Sequence, residues 1–149
     1  MSYLSSPSDW FVAITAVGIA ALCVGMHYEV LNGCNSFLPR ISQRRRPRVL
    51  ILIFAVLLVH IAEIWLFGGG YMLLLRTEKA GALSGLAGTG LPEYVYFSAM
   101  TYTTVGASDV IASGPIRFLA GMEALTGFVM ITWSASYTFL EMQRDWRAR

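Results

Sequence analysis

Three long apolar segments constrain the fold of this chain more than any other feature of its sequence. They cover residues 11–26, 49–67 and 118–140. A helix of about 20 apolar residues, within a range of roughly 17–25, is long enough to cross a bilayer. Hydrophobic residues make up 56% of the 149 positions and charged residues only 13%, whereas a soluble domain typically carries about 25% charged residues. The sequence therefore predicts an all-α membrane protein with three transmembrane helices.

The arginine residues set the predicted orientation of these helices. Between the first two apolar segments lie Arg40, Arg44, Arg45, Arg46 and Arg48, and near the end of the chain lie Arg144, Arg147 and Arg149. Because basic loops stay in the cytoplasm, we expect the N-terminus outside and the C-terminus inside. The membrane expected for such a chain is a bacterial inner (plasma) membrane. We interpret the first cluster mainly as a topology signal. A second interpretation is binding of anionic lipid headgroups by Arg44, Arg45, Arg46 and Arg48.

The connection between the second and third segments predicts a functional loop. Residues 76–90 are rich in Gly, Ala and Ser, which indicates an exposed flexible turret. Residues 91–102 predict a helix, because Pro92 and Glu93 suit a first helical turn. This helix is too short to span a bilayer, so we expect it to enter and leave on one side. Residues 103–109 then form a polar, non-helical loop, and such backbone survives at membrane depth only when it is buried in protein or lines water.

The run Thr-Tyr-Thr-Thr-Val-Gly-Ala-Ser-Asp at 101–109 resembles the selectivity-filter signature of potassium channels, which reads Thr-x-Thr-Thr-Val-Gly-Tyr-Gly-Asp. The resemblance covers roughly residues 49–140 and implies a homotetramer built around one axis. It divides the chain into residues 1–48, an extra helix with the basic loop, and a pore domain at 49–149 that has its outer helix at 49–75, turret at 76–90, pore helix at 91–102, filter at 103–109 and inner helix at 116–142. We expect the extra helix to pack outside the pore unit, against lipid.

The resemblance also implies which residues bind the permeant ion, K⁺ or Na⁺. Rings of backbone carbonyls from four copies of an extended Thr-Val-Gly segment replace the hydration shell of the cation. The implied ligands are Thr104, Val105 and Gly106, within a filter of Thr103, Thr104, Val105, Gly106, Ala107, Ser108 and Asp109. Four Asp109 carboxylates at the outer mouth would concentrate cations. One copy cannot close a ring, so this interpretation requires an oligomer.

The filter departs from the family pattern at two positions. Ala107 stands where the family has Tyr, and it cannot pack behind the filter to hold its width. Ser108 stands where the family has a second Gly, and serine costs about 1 kcal/mol or more in the positive-φ conformation that glycine tolerates. We therefore expect a potassium-permeable channel with weakened selectivity. The alternatives are a nonselective or sodium-permeable channel and a non-conducting channel-like scaffold or sensor subunit.

Two ionisable residues in the second apolar segment, His60 and Glu63, share one helix face. Ionisable groups inside a membrane are costly and by default indicate function. We predict that they support the filter together with Tyr96, Ser98 and Thr101, which are candidate hydrogen-bond partners of Glu63. A further hypothesis is that protonation of Glu63 gates the pore. The interpretation that we favour is a buried structural pair whose polar groups satisfy each other.

The third apolar segment holds the candidate pore-lining residues. Glu123 either faces the cavity, where it binds cations, or supports the back of the filter, and the sequence leaves both open. A cavity-lining face at helical spacing is predicted to hold Gly127, Ile131, Ser134, Thr138 and Met142. Helix packing is an equal alternative for each of these small or hydroxylated residues, and Gly127 is either a hinge or a packing glycine.

Several function classes lack support in the sequence. There is no phosphate loop, catalytic triad or zinc motif, so we expect no enzyme and no cofactor besides the permeant ion. A membrane enzyme or proton relay at His60 and Glu63 is a minor alternative. The net charge of +2 is too small to indicate nucleic acid as a partner. Cys23 and Cys34 cannot build a disulfide framework, and no segment carries the arginine spacing of a voltage sensor.

Overall fold

The computed structural model describes residues 7–41, 45–106 and 109–146, with the backbone alone at 38–41, 45–46, 78 and 145–146. Its elements are the helices α1 (Pro7–Ile41), α2 (Arg45–Leu74), α3 (Leu91–Tyr102) and α4 (Ile116–Trp146), a 3₁₀ turn at Glu78–Ala80, and the strands β1 (Ala82–Ser84) and β2 (Ile111–Ser113). Three helices are long and apolar enough to cross a membrane, over Pro7–Phe37, Pro47–Leu74 and Ile116–Arg144. The all-α architecture predicted from the sequence is confirmed.

Helix α1 packs on both α2 and α4. Its packed face consists of residues at helical spacing that are all buried, namely Val12, Ala16, Ala20, Cys23 and His27. Small side chains at such positions let neighbouring helices approach closely, and close packing rather than hydrophobicity drives helix association in lipid. The opposite face of α1 is exposed, with Phe11, Ile14 and Val17 among its apolar residues. That the first helix packs outside the pore unit, against lipid, stays a prediction.

Helix α3 lies between α2 and α4 and contacts both. It begins after Gly90, with Pro92 in its first turn, and it covers the same residues that the sequence predicts. Two glycines let the flanking helices approach it. A Cβ atom added at Gly68 of α2 would lie 2.8 Å from the Val95 side chain, and one at Gly127 of α4 would lie 2.0 Å from the Tyr102 carbonyl oxygen. Gly127 is therefore a packing glycine in this structure, one of the two roles that the sequence left open.

The segment predicted as an exposed flexible turret contains regular structure. Strand β1 pairs with β2 in antiparallel register, with Ala82 opposite Ser113 and Ser84 opposite Ile111. This pairing joins the segment after α2 to the residues that follow the loop after α3. Gly85 directly follows β1, and its φ of 97° is a conformation that glycine tolerates. The strands are three residues long, and so short a pairing leaves little periodicity for the sequence to show.

The interior is continuous across the four helices. Phe67, Tyr71, Phe97 and Leu119 belong to one buried cluster with residues of α1. The rings of Tyr71 and Phe97 meet edge to face with centroids 5.1 Å apart, a favoured geometry for aromatic pairs. Both cysteines are free. Helix α3 is thus fixed by packing, and the position of the loop that follows it depends on this packing.

Candidate functional site

One face of α3 carries two buried hydroxyl groups that bind carboxylates of the flanking helices. Ser98 and Tyr102 are four residues apart and therefore lie on the same helix face. The Ser98 hydroxyl donates to Glu123 of α4, and the Tyr102 hydroxyl donates to Glu63 of α2. The last turns of α3, which hold the loop, are thus held from both sides.

The Glu123 cluster consists of Glu123, Tyr71 and Ser98. The Tyr71 hydroxyl lies 2.5 Å from Glu123 Oε2. Ser98 Oγ also lies 2.8 Å from the carbonyl oxygen of Ile64. The Glu123 side chain is fully buried. Of the two positions that the sequence left open for Glu123, the structure has the one against α3, where the carboxylate binds Ser98.

The Glu63 cluster consists of His27, His60, Glu63, Tyr102 and Ser134, and its hydrogen bonds close a ring. Glu63 Oε1 lies 3.0 Å from His27 Nδ1, and Glu63 Oε2 lies 3.1 Å from His60 Nδ1. On the other side of both rings, Ser134 Oγ lies 2.9 Å from His27 Nε2 and 3.2 Å from His60 Nε2. Tyr102 adds a fourth helix to the cluster, with its hydroxyl 3.0 Å from His60 Nδ1. The cluster therefore joins all four helices.

The partners of Glu63 differ from those predicted. Tyr96 is 44% exposed, Ser98 binds the other carboxylate, and the partner from α3 is Tyr102. Successive residues of a helix are rotated by about 100°, so only residues spaced three or four apart share the face that meets α2 and α4. Thr101 is half-buried, and its backbone carbonyl accepts from the Thr104 N–H at 3.0 Å instead of binding the carboxylate.

The predicted cavity-lining face of α4 is divided between the interior and the surface. Ser134 is buried and bound to the two histidines, so its predicted role as a lining residue is not supported. Gly127 is buried against α3. Ile131 is 38% exposed, and Thr138 and Met142 are half-buried. The reason is that Ser134 meets His27 of α1 and His60 of α2, while Gly127 meets Tyr102 of α3.

The loop after α3 is open in the single chain. Thr103, Thr104, Val105 and Gly106 are all exposed, and Val105 retains 71% of its accessible surface. The Gly106 N–H donates to the Met100 carbonyl at 2.9 Å, which satisfies an acceptor in the last turn of the helix.

The backbone of this loop differs from the extended filter that the resemblance implies. Thr104 has a φ of 60° and Gly106 has a φ of 81°. A left-handed conformation costs a residue with a Cβ atom about 1–2 kcal/mol. Such strain concentrates at functional segments. Of the other residues predicted for the filter, Asp109 is exposed, and Ala107 and Ser108 lie outside the described residues.

The arginine cluster falls mostly outside what the structure describes. Arg44 lies beyond the described residues, and the side chains of Arg45 and Arg46 are not described. Arg48 is half-buried and has a polar or electrostatic partner. Lipid binding by these residues stays a prediction.

Sequence reasoning missed three residues of the two clusters, namely His27, Tyr71 and Tyr102. The sequence does contain a signal for His27. It lies eleven residues after Ala16 and four residues after Cys23, and residues at such spacing share one helix face. The predicted first apolar segment ends at residue 26, one residue before His27. Among the described residues, every buried side-chain nitrogen or oxygen has a hydrogen-bond partner. Each buried carboxylate therefore has donors on neighbouring helices, and Tyr71 and Tyr102 are among these donors.

Comparison with known proteins identifies a family. Residues 48–144, well over half of the chain, match the family model Ion_trans_2, described as "Ion channel". The match begins near the start of α2, and it includes α3, the loop and α4. No curated protein matches the chain, and no solved structure matches it. The chain therefore belongs to this ion channel family and is a multi-pass integral membrane protein.

Proposed function

We propose that four copies of this chain form one pore that conducts monovalent cations passively, with potassium permeable and its selectivity over sodium weakened. The observation that carries the proposal is the open Thr104-Val105-Gly106 segment at the carboxyl end of a short helix that two buried carboxylates hold in place. Four such segments around one axis would supply the rings of oxygens that a dehydrated cation needs.

Exposure of the loop supports assembly of several chains. Val105 is an apolar residue with 71% of its surface accessible, and it lies among exposed polar residues rather than on a lipid-facing helix. Partner copies of the loop would cover it. The positive φ of Thr104 must change for its carbonyl to join an extended filter. We propose that assembly of the tetramer drives this change, since residues 103–106 are exposed in the single chain and open to contacts with partner copies.

The lining of the inner pore is proposed to come from a different face of α4 than the predicted one. Thr132 and Ser136 are exposed, and their hydroxyls donate to carbonyl oxygens of their own helix, at 2.9 Å for Thr132 to Phe128 and 2.9 Å for Ser136 to Thr132. Hydroxyl groups on an uncovered helix face suit a water-filled cavity better than lipid. The proposed orientation keeps the N-terminus outside and the basic residues inside.

Flux from purified protein in liposomes tests the proposal. We expect the native chain to pass K⁺ and, at a lower rate, Na⁺, while a large organic cation is excluded. The variant Gly106→Ala should lose at least tenfold in K⁺ flux, because alanine disfavours the left-handed conformation of Gly106. The control Gly88→Ala should keep native flux, because Gly88 is an exposed turret residue without a positive φ.

The double variant Ala107→Tyr, Ser108→Gly separates a channel from a scaffold. It restores the family pattern, and a conducting native protein should gain K⁺ selectivity from it. A native protein that passes no cation, beside a double variant that conducts K⁺, would contradict the proposed conduction and favour the non-conducting scaffold. Equal flux of K⁺ and the large cation would contradict a dehydrating filter.

A further inference from the structure

The Glu63 cluster brings together three side chains that can ligate a metal. Atoms of His27, His60 and Glu63 that offer one ligand each lie within 4.8 Å of one another. His27 comes from α1, and the other two lie one turn apart on α2. The His27 and Glu63 side chains are fully buried, and His60 is 15% exposed, which leaves one side for entry. We propose that this cluster is a binding site for one divalent transition-metal ion of the Zn²⁺ class per chain.

The donor set selects this class of ion. Two imidazole nitrogens and a carboxylate oxygen suit zinc and neighbouring transition metals, whereas K⁺, Mg²⁺ and Ca²⁺ prefer oxygen ligands. Zinc holds such atoms at about 2.0–2.2 Å, so two ligands of a tetrahedral ion are roughly 3.3 Å apart. The nitrogen-to-oxygen distances here are 3.0 Å to His27 and 3.1 Å to His60. These two pairs are within a few tenths of an ångström of that spacing, and the two histidine ligand atoms lie within 4.8 Å of each other.

The far side of both imidazoles already has the arrangement of a metal site. A histidine that ligates a metal usually donates its other ring N–H to an oxygen, which fixes the ring. Ser134 Oγ lies within hydrogen-bond distance of both Nε2 atoms, at 2.9 Å and 3.2 Å. The Tyr102 hydroxyl binds Glu63 and lies 3.0 Å from His60 Nδ1, so it fixes the carboxylate and offers a fourth oxygen.

A count of protons shows that the cluster takes one further positive charge, supplied either by a second proton on one imidazole or by a metal ion. A neutral imidazole has one donor and one acceptor. If both Nδ1 atoms donate to Glu63, both Nε2 atoms are acceptors, but Ser134 has only one proton to give. A metal ion bound to the two Nδ1 atoms leaves both Nε2 atoms protonated, and the two lone pairs of the Ser134 oxygen accept from both. The carboxylate of Glu63 offsets one charge of the ion.

Binding of a metal would fasten the end of the pore helix. Tyr102 is the last residue of α3 and binds Glu63, and the filter loop follows it directly. A metal would replace hydrogen bonds between α1 and α2 by coordination bonds at this point. An effect of Zn²⁺ on cation flux is therefore expected, and this part of the inference rests on the proposed channel function, while binding itself does not.

Binding is tested with the purified full chain after treatment with a chelator. Titration with Zn²⁺ against a chromophoric competitor should give one ion per chain, and Co²⁺ should give the visible absorption of a tetrahedral site. His27→Gln and Glu63→Gln should each weaken binding at least tenfold. The control Glu29→Gln changes an exposed carboxylate on α1 and should bind like the native chain. Absence of stoichiometric Zn²⁺, or unchanged affinity in His27→Gln, would overturn the proposal.

A second variant covers the case in which a ligand variant does not fold. Ser134→Ala removes the outer partner of both histidines but no ligand, and loss of such a partner typically costs about 10–100-fold in metal affinity. Native affinity in folded Ser134→Ala protein would contradict the site. The two proposals fail separately: a chain that binds Co²⁺ but passes no cation refutes conduction, and a conducting chain without the Co²⁺ spectrum refutes the metal site.

Discussion

The packing of Gly127 against α3 gives a prediction whose size follows from the coordinates. In Gly127→Ala the new Cβ would lie 2.0 Å from the Tyr102 carbonyl oxygen, and ordinary contact begins near 3.4 Å. Because the Cβ atom would be more than 1 Å too close to the carbonyl oxygen, α4 and the end of α3 must separate by more than 1 Å. The obstructing atom belongs to the backbone and cannot rotate away, so we expect a loss of about 1–3 kcal/mol, the usual cost of overpacking.

The control for this prediction is Gly18→Ala. Gly18 lies inside α1, and a Cβ atom there meets nothing within 4 Å. Alanine in a helix interior is favoured over glycine by about 0.5–1 kcal/mol, so this variant should be slightly more stable than the native chain. Thermal unfolding of both variants in the same detergent measures the difference, and K⁺ flux of Gly127→Ala should fall because the loop moves with α3. A Gly127→Ala protein as stable as Gly18→Ala would refute the close contact.

The remaining predictions concern the two hydroxyls of α3. Tyr102→Phe removes the hydroxyl that binds Glu63 and should lower thermal stability in detergent by about 1–3 kcal/mol, the cost of an unsatisfied buried polar group. The control Tyr96→Phe changes a 44% exposed position and should leave the stability within about 0.5 kcal/mol of the native value. Equal effects of the two variants would contradict the hydrogen bond between Tyr102 and Glu63. Ser98→Ala removes one of the two hydroxyl donors of Glu123 and should cost a similar amount, measured in the same way; unchanged stability would show that this carboxylate does not hold α3.

Local signals were sufficient for the helices. Pro92 and Glu93 mark the first turn of α3. The end of this helix is marked by the change from apolar and aromatic residues to the polar residues that begin at Thr103. The three long helices follow from apolar segments of sufficient length. The start of α1 was predicted within a few residues, but its end was placed too early, since nothing between residue 27 and Pro39 removes a backbone donor.

The partners of the buried carboxylates could not be predicted in the same way. Periodicity shows which residues share a helix face, but not which neighbour that face meets. Ser134 and Gly127 therefore fitted a cavity-lining face on the sequence alone, while the packing of α1 and α3 places them inside. Glu63 was expected to contact Ser98, and it binds Tyr102 instead, because that choice depends on the rotation of α3 about its axis.

The number of chains in the purified particle tests most directly whether Thr104, Val105 and Gly106 of several copies form one ring. The mass of the detergent-solubilised protein, corrected for bound detergent, gives this number. We predict four chains, because four copies of the loop surround the ion in a filter of this kind, with fourfold cyclic symmetry. A particle that contains a single chain or two chains, at concentrations where the protein conducts cations, would contradict the proposed pore.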